Sequence, residues 1–175
     1  MAERLQPALG GALLSSLRSD QLRVIAPYFA ARTLAAGVSV CNEGETGDFC
    51  VVVLTGSLGV FAARECIDEL RAGESWGERA LFHGGLRTAE LRAVQPAEVA
   101  CLTLERLGAL QRDGAAADAA EALNRQLARL TVLKEAALDR AHMGAAYALD
   151  RASMAADEEA AVSYTHLTLP TILLV

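Results

Sequence analysis

Between Arg32 and Leu104 the chain is cut into short β-prone runs by glycine and turn residues. Thr33-Leu34 and Val38–Val40 flank Gly37, the apolar run Phe49–Leu54 stops at Gly56, and Leu58–Phe61 follows. Ile67–Leu70, Ala89–Val94 and Glu98–Leu104 complete the series, with Pro96 turning between the last two. Several short strands separated by regular turn signals predict an antiparallel sandwich or jelly roll. The cluster Asn42–Asp48 reads as a turn, its glycines Gly44 and Gly47 serving only as left-handed turn residues.

Helical patterns lie on both sides of this region. Leu9, Leu13, Leu14 and Leu17 have helical spacing, and Ser19 or Asp20 is expected to cap a second helix that ends near Pro27. Glu105–Gln111 returns to a helical pattern, and Gly114 loosens the connection. From Ala119 to Ala161 the chain is alanine-rich, with Leu123, Leu127, Leu130, Leu133, Ala137 and Leu138 on one stripe. Such a stripe predicts a helix that packs back on the roll. The expected fold is therefore α+β, with N-terminal helices over 1–31, a β roll over 32–104 and C-terminal helices over 105–161. Residues 162–175 carry no charge over Val162–Thr171 apart from a histidine and do not continue the helix. That stretch resembles a translated sequencing-library adapter, so the natural chain is expected to continue past Ala161.

One helical interruption is expected inside the roll, at Trp76–Ala89. Gly77 precedes Glu78, Arg79-Ala80-Leu81-Phe82 is long enough for about one helical turn, and Gly84-Gly85 permits a tight return to Arg87. A helix start gathers unpaired backbone N–H groups around one spot, which suits an anion. An arginine brought back to that spot adds a planar fork matched to phosphate oxygens. A glutamate repels phosphate, so Glu78 is expected to face a group that donates a hydroxyl, such as a ribose.

The net charge of −6 leaves no basic footprint for nucleic acid, so an anionic ligand needs a local positive site. Cys41, Cys50, Cys66 and Cys101 lack paired spacing, and three histidines, at 83, 142 and 166, make a metal site unexpected. Leu9–Leu17 is short and has no basic lead, so it does not read as a secretory signal. A reduced, cytoplasmic setting is expected, with neither membrane nor nucleic acid as partner.

Gly77-Glu78-x-Ala80-Leu81 followed by Arg87-Thr88-Ala89 resembles the phosphate-binding cassette of the cyclic nucleotide-binding domains, at their Glu-to-Arg spacing. Glu43-Gly44-x-x-Gly47-Asp48, Val51–Val53 and Gly56 resemble the early strands of that family. The likeness covers about residues 10–135, and the cassette is most similar to those of cyclic-GMP-dependent protein kinases. Leu86, Trp76 and Arg79 depart from the usual proline, phenylalanine and aliphatic residue.

The resemblance implies a regulatory module that binds cyclic GMP or cyclic AMP and needs no cofactor. It implies ligand contacts from Gly77, Glu78, Arg79, Ala80, Arg87, Thr88 and Ala89, those at Arg79 through backbone. Arg87 would hold the cyclic phosphate, Glu78 the ribose 2′-hydroxyl, and Thr88 the 2-amino group of a syn guanine. The helix after the roll would close over the base as a lid. The chain as it stands is expected to be no enzyme: it shows no Ser/His/Asp or Cys/His arrangement and no kinase glycine loop. The expected partner is a linked or separate effector such as a protein kinase. Two alternatives stay open, a piece of a cyclic-GMP-dependent kinase and a degenerate roll that serves as a scaffold. The scarcity of histidine argues against a cupin-type metalloenzyme, and the acidic tail argues against a helix-turn-helix regulator.

Overall fold

The computed structural model describes residues 1–5 and 11–137. The elements run α1 (Ala2–Leu5), α2 (Ser19–Ile25), β1 (Ala30–Leu34), β2 (Ser39–Cys41), β3 (Phe49–Thr55), β4 (Ser57–Ala62) and β5 (Glu65–Arg71). Then come β6 (Ser75–Trp76), α3 (Glu78–His83), β7 (Glu90–Ala93), β8 (Ala97–Thr103) and α4 (Leu104–Arg112). A last helix, α5, covers the described residues 117–137. Met1–Val132 forms one compact unit. Leu9, Leu138, the helix expected over 138–161 and the tail 162–175 lie outside the described residues.

The eight strands make two four-stranded antiparallel sheets, ordered β1-β8-β3-β6 and β2-β7-β4-β5. This is the expected jelly roll with helices. The first sheet explains why Phe49–Leu54 reads as an unbroken apolar run. In β3 and β8, Val51 pairs with Cys101 and Val53 with Val99, and these side chains enter the core between the sheets. Cys50 pairs with Leu102 and Val52 with Ala100, and these enter a second core under the helices. A strand buried on both faces loses its alternation. The second sheet keeps one face open, so β7 alternates between partly exposed and buried residues.

The helical layer differs from its expectation at the N-terminus. Residues 12–16 form turns, not a continuous helix, yet Leu13, Leu14 and Leu17 are all buried in the helix-side core. Their spacing reports burial correctly and regular structure wrongly. The cap of α2 falls at Arg18, one residue before the expected Ser19 or Asp20, because Gln21 Oε1 accepts from the Arg18 amide at 3.0 Å. Pro27 then sits in a single 3₁₀ turn, Ala26–Tyr28, where the helix was expected to end. At the other end of the roll, Thr103 caps α4 by accepting from the Arg106 amide. Leu123, Leu127 and Leu130 of α5 lie in the same buried cluster as Leu22, Ile25, Val52 and Leu102. The expected packing of this helix back on the roll is observed for these three leucines, whereas Leu133 and Ala137, expected on the same stripe, are exposed.

A polar clasp joins α2 to α5. Asp118 accepts from Gln21 Nε2 at 2.8 Å and from Arg18 Nη2 at 2.9 Å, and Arg18 also reaches Asp20. The Gln21 amide, followed by the Arg18 guanidinium, holds the Asp118 carboxyl below the ordinary aspartate range. A carboxyl lowered on folding contributes stability above its unfolded value, and that stability is lost as pH falls through the lowered value. Urea midpoints followed from neutral pH to below 3.8, the ordinary value, should therefore fall more steeply for wild type than for Asp118→Asn. Equal slopes would show that the clasp adds nothing to folding.

Candidate functional site

The cassette is built by two glycines and a backbone ladder. Gly77 adopts φ +89° at the start of α3, a conformation strained for any residue with a Cβ. A methyl group there would lie 2.7 Å from Arg87 Nη1 and 2.8 Å from the Phe49 carbonyl oxygen. Gly47 is needed for close approach and not for a left-handed turn, which corrects the modest role expected for it. Its Cβ would meet that of Ala80 at 2.8 Å and the Arg87 guanidinium at 3.4 Å. The turn cluster around Gly47 is hydrogen-bonded to the cassette throughout. Gly44 N–H donates to Arg87 O at 2.8 Å, Arg87 N–H to Glu45 O at 2.7 Å, and Gly47 N–H to Gly85 O at 2.9 Å.

Arg87 is the centre of the site. Its side chain is buried, with 5% of the residue exposed. One Nη2 hydrogen goes to Phe49 O at 2.7 Å, and the guanidinium lies 4.3 Å from the Phe49 ring and 4.8 Å from the Trp76 ring. Two aromatic faces attract the cation electrostatically. They do not accept its hydrogens along the fork, and Nε is buried with no hydrogen-bond partner among the described residues. The charge is felt by its neighbours. Burial pushes the Cys41 thiol up, with Arg87 pulling the other way. Asn42 holds the Glu45 carboxyl below its ordinary value through side-chain and backbone hydrogen bonds, and Arg87 adds a smaller effect.

Glu78 is held elsewhere. It is 1% exposed and accepts the Ser75 hydroxyl, so the donor that the sequence led one to expect is met here by a protein side chain. Across the register Ser75 stands opposite Val52, which faces the helices, whereas Trp76 stands opposite Val51, which faces the roll. The two charged groups framing the cassette are thus held by different partners.

The remaining residues divide by exposure. Arg79 and Thr88 are exposed, Gly77 and Ala80 are half-buried, and Ala89 is buried in the core between the sheets. Ala80 N–H donates to Gly77 O at 3.1 Å, so that donor closes the helix turn and is not offered to an anion. Sequence reasoning missed Ser75, Phe49 and Gly47. Only Gly47 carried a signal, as part of the Gly44-x-x-Gly47-Asp48 run.

Residues 31–113 match the family model described as the cyclic nucleotide-binding domain. Over this stretch the chain is similar to the cyclic nucleotide-binding domain family. The cAMP-dependent protein kinase regulatory subunit of Blastocladiella emersonii is 34% identical over 110 residues, 59% of this chain and 27% of that relative. The cGMP-dependent protein kinase, isozyme 1, of Drosophila melanogaster is 30% identical over 84 residues, 48% of this chain and 11% of that relative. The match thus spans about a quarter or less of these curated relatives. A solved cyclic nucleotide-binding domain from Methylobacillus flagellatus KT has the same fold, with a TM-score of 0.63 at 23% identity. That likeness covers 79% of this chain and 81% of that one.

Among the described residues no group of histidine, cysteine and acidic side chains could hold a metal ion. Among them, too, no helix is long and apolar enough to cross a membrane.

The cradle gives a direct test. Gly77→Ala combines left-handed strain with two close contacts and should cost roughly 1–3 kcal/mol or more in urea denaturation. It should also shift the emission of Trp76, the single tryptophan, because its ring neighbour Arg87 must move. Gly84→Ala, with no atom within 4 Å of its Cβ, is strained too but should leave the emission unchanged. Equal emission in the two variants would remove Gly77 from the cradle.

Proposed function

We propose that this chain is a regulatory module that binds a cyclic nucleotide, cyclic GMP or cyclic AMP, in the cassette 76–89. The observation that supports it most is the buried Arg87 guanidinium with an unpartnered Nε. A buried cation is costly unless paired, and a phosphate would supply both the opposite charge and the missing acceptor. Backbone around Gly77, Arg79 and Ala80 would border that phosphate, with Thr88 and Ala89 leading away from it. Glu78 would take the ribose 2′-hydroxyl by sharing or replacing its serine donor. The exposed hydroxyl of Thr88, next to Arg87, favours cyclic GMP through the guanine 2-amino group. The kinase names of the relatives support a kinase as the linked or separate effector.

Coupling to the C-terminal helix rests on Leu81. This residue of α3 is buried in the same cluster as Leu123, Leu127 and Leu130 of α5. Movement of the cassette helix on binding would be felt in that cluster, and a ligand shifts α5 by its differential affinity for the two arrangements.

Binding is tested through Arg87. Removing one partner of a buried charge pair costs ~2–5 kcal/mol, so Arg87→Ala should weaken binding by at least roughly thirtyfold. The 2′-deoxy analogue should bind wild type roughly tenfold or more weakly than the parent, and Glu78→Ala should abolish that difference. Calorimetry that finds no binding to wild type would leave the roll as a scaffold.

The helix gives a separate readout. Amide exchange over 117–137 should slow at saturating nucleotide, and Leu81→Ala should reduce that change more than it reduces affinity. Unaltered exchange would leave α5 as plain support.

A further inference from the structure

Arg87 has an acidic residue across from it in the backbone ladder and is not paired with it. Gly44 N–H donates to Arg87 O at 2.8 Å, and Arg87 N–H donates to Glu45 O at 2.7 Å. Two residues of the turn cluster thus stand opposite one residue of the cassette. Gly44 takes φ +82°, so the pattern is a β-bulge with glycine in its first position. Opposite charges across a ladder ordinarily attract one another. Here the guanidinium bonds the Phe49 carbonyl and lies against two rings, and among the described residues no carboxylate is paired with it.

The Glu45 carboxylate is tied back into its own turn. Asn42 Nδ2 donates to Oε1 at 2.6 Å and Asn42 N–H donates to Oε2 at 3.0 Å, so one residue engages both oxygens. Glu45 N–H donates to Asn42 O at 3.3 Å and closes the loop. Those contacts from Asn42 hold the carboxyl below its ordinary value, and Arg87 adds a smaller pull in the same direction. The cation is therefore within electrostatic reach of Glu45. The two rings attract a guanidinium without cancelling its charge, whereas a carboxylate cancels it and occupies the fork. A phosphate arriving at Arg87 would then have to displace an anion already seated there.

We infer that Asn42 is a positioning residue for the anion site: by holding the Glu45 carboxylate in the 42–45 turn, it keeps Arg87 open to a phosphate. The inference rests on the proposed nucleotide binding at Arg87. Asn42 touches no ligand in this role and acts only through Glu45. Without its amide, the Glu45 side chain is released to turn across the bulge and compete for the guanidinium. Asparagine suits the task because its side-chain amide donates to a carboxylate and adds no charge beside the arginine.

The test is calorimetric titration of wild type, Asn42→Ala and the double variant Asn42→Ala/Glu45→Gln with cyclic GMP and cyclic AMP. Asn42→Ala should weaken both nucleotides about fivefold, as expected for competition from an ion pair at the rim of the site. The two losses should be alike, because the base is not touched. Glu45→Gln should restore wild-type affinity in the double variant, since a neutral amide does not compete with phosphate for a cation. Trp76 emission of the unliganded proteins gives a second readout, because its ring lies 4.8 Å from the guanidinium. It should shift in Asn42→Ala and return in the double variant. Should Asn42→Ala melt early, Asn42→Asp keeps a turn-forming side chain, repels the Glu45 carboxylate and should repeat the loss of affinity. Unchanged affinity and emission in the single variant overturn the role of Asn42 and leave nucleotide binding standing. A loss that Glu45→Gln does not repair overturns it too, since Asn42 would then only support the turn. A wild type that binds neither nucleotide overturns both readings.

Discussion

A guanidinium held inside the protein without a full set of acceptors is the constraint around which this roll is built. Arg87 has one backbone carbonyl, two aromatic faces and two glycines against it, and its Nε is buried and unmatched among the described residues. A buried donor without a partner costs roughly 1–3 kcal/mol, and more when the group is charged. The fold tolerates this because the backbone is fixed on both sides of the arginine, through Gly44, Glu45 and Gly47. Each of those hydrogen bonds is between main-chain groups, so they hold the position whatever the side chain meets. Under the proposed function, the site would be preorganised for an anion: the arginine's place is set by the ladder, and a ligand would meet its electrostatic needs.

How much of this could be read from the sequence depends on the range of the physics involved. Glycine turns, the apolar run at Phe49–Leu54 and the stripe on α5 are local signals, and each marks a real element. The N-terminal leucines show the limit. Leu13, Leu14 and Leu17 have helical spacing because they face one core, and a chain of turns presents them to that core as well as a helix would. The cap of α2 was misplaced because Gln21, and not a serine or aspartate, supplies the acceptor, reaching back from the third helical position.

In the site the same limit appears more sharply. The spacing of Glu78 and Arg87 is visible in the sequence, but the partners that hold them are not. Ser75 is near Glu78 in sequence, yet a serine three residues before a glutamate is common. Phe49 is 38 residues from Arg87, and it contributes a carbonyl oxygen, a group every residue has. Gly47 looks like any turn glycine until the structure brings Ala80 and Arg87 against it. Interactions made by backbone, or made possible by the absence of a side chain, leave little trace in residue identity.

The two cores bear on how, under the proposed function, a ligand contact at Arg87 would reach the helices. The first sheet is shared: its inner face packs Val51, Val53, Val99 and Cys101 into the roll, and its outer face packs Cys50, Val52, Ala100 and Leu102 under the helical layer. The central strands β3 and β8, buried on both faces, are stiff, because close-packed interiors deform little. They are therefore poor transmitters of small shifts from one core to the other. The cassette helix avoids that barrier. α3 follows the two-residue strand β6 at the sheet's edge and sends Leu81 into the helix-side core, while the chain that continues from it carries Arg87 and Ala89 back to the roll. Gly84 and Gly85, both at positive φ, lie between these anchors, and a Cβ at either would meet no atom within 4 Å. Under the proposed function, a contact made at Arg87 would pull on α3 from one end, and Leu81 would press on the α5 leucines from the other. The short edge strand and the glycine pair would then let α3 shift against the sheet.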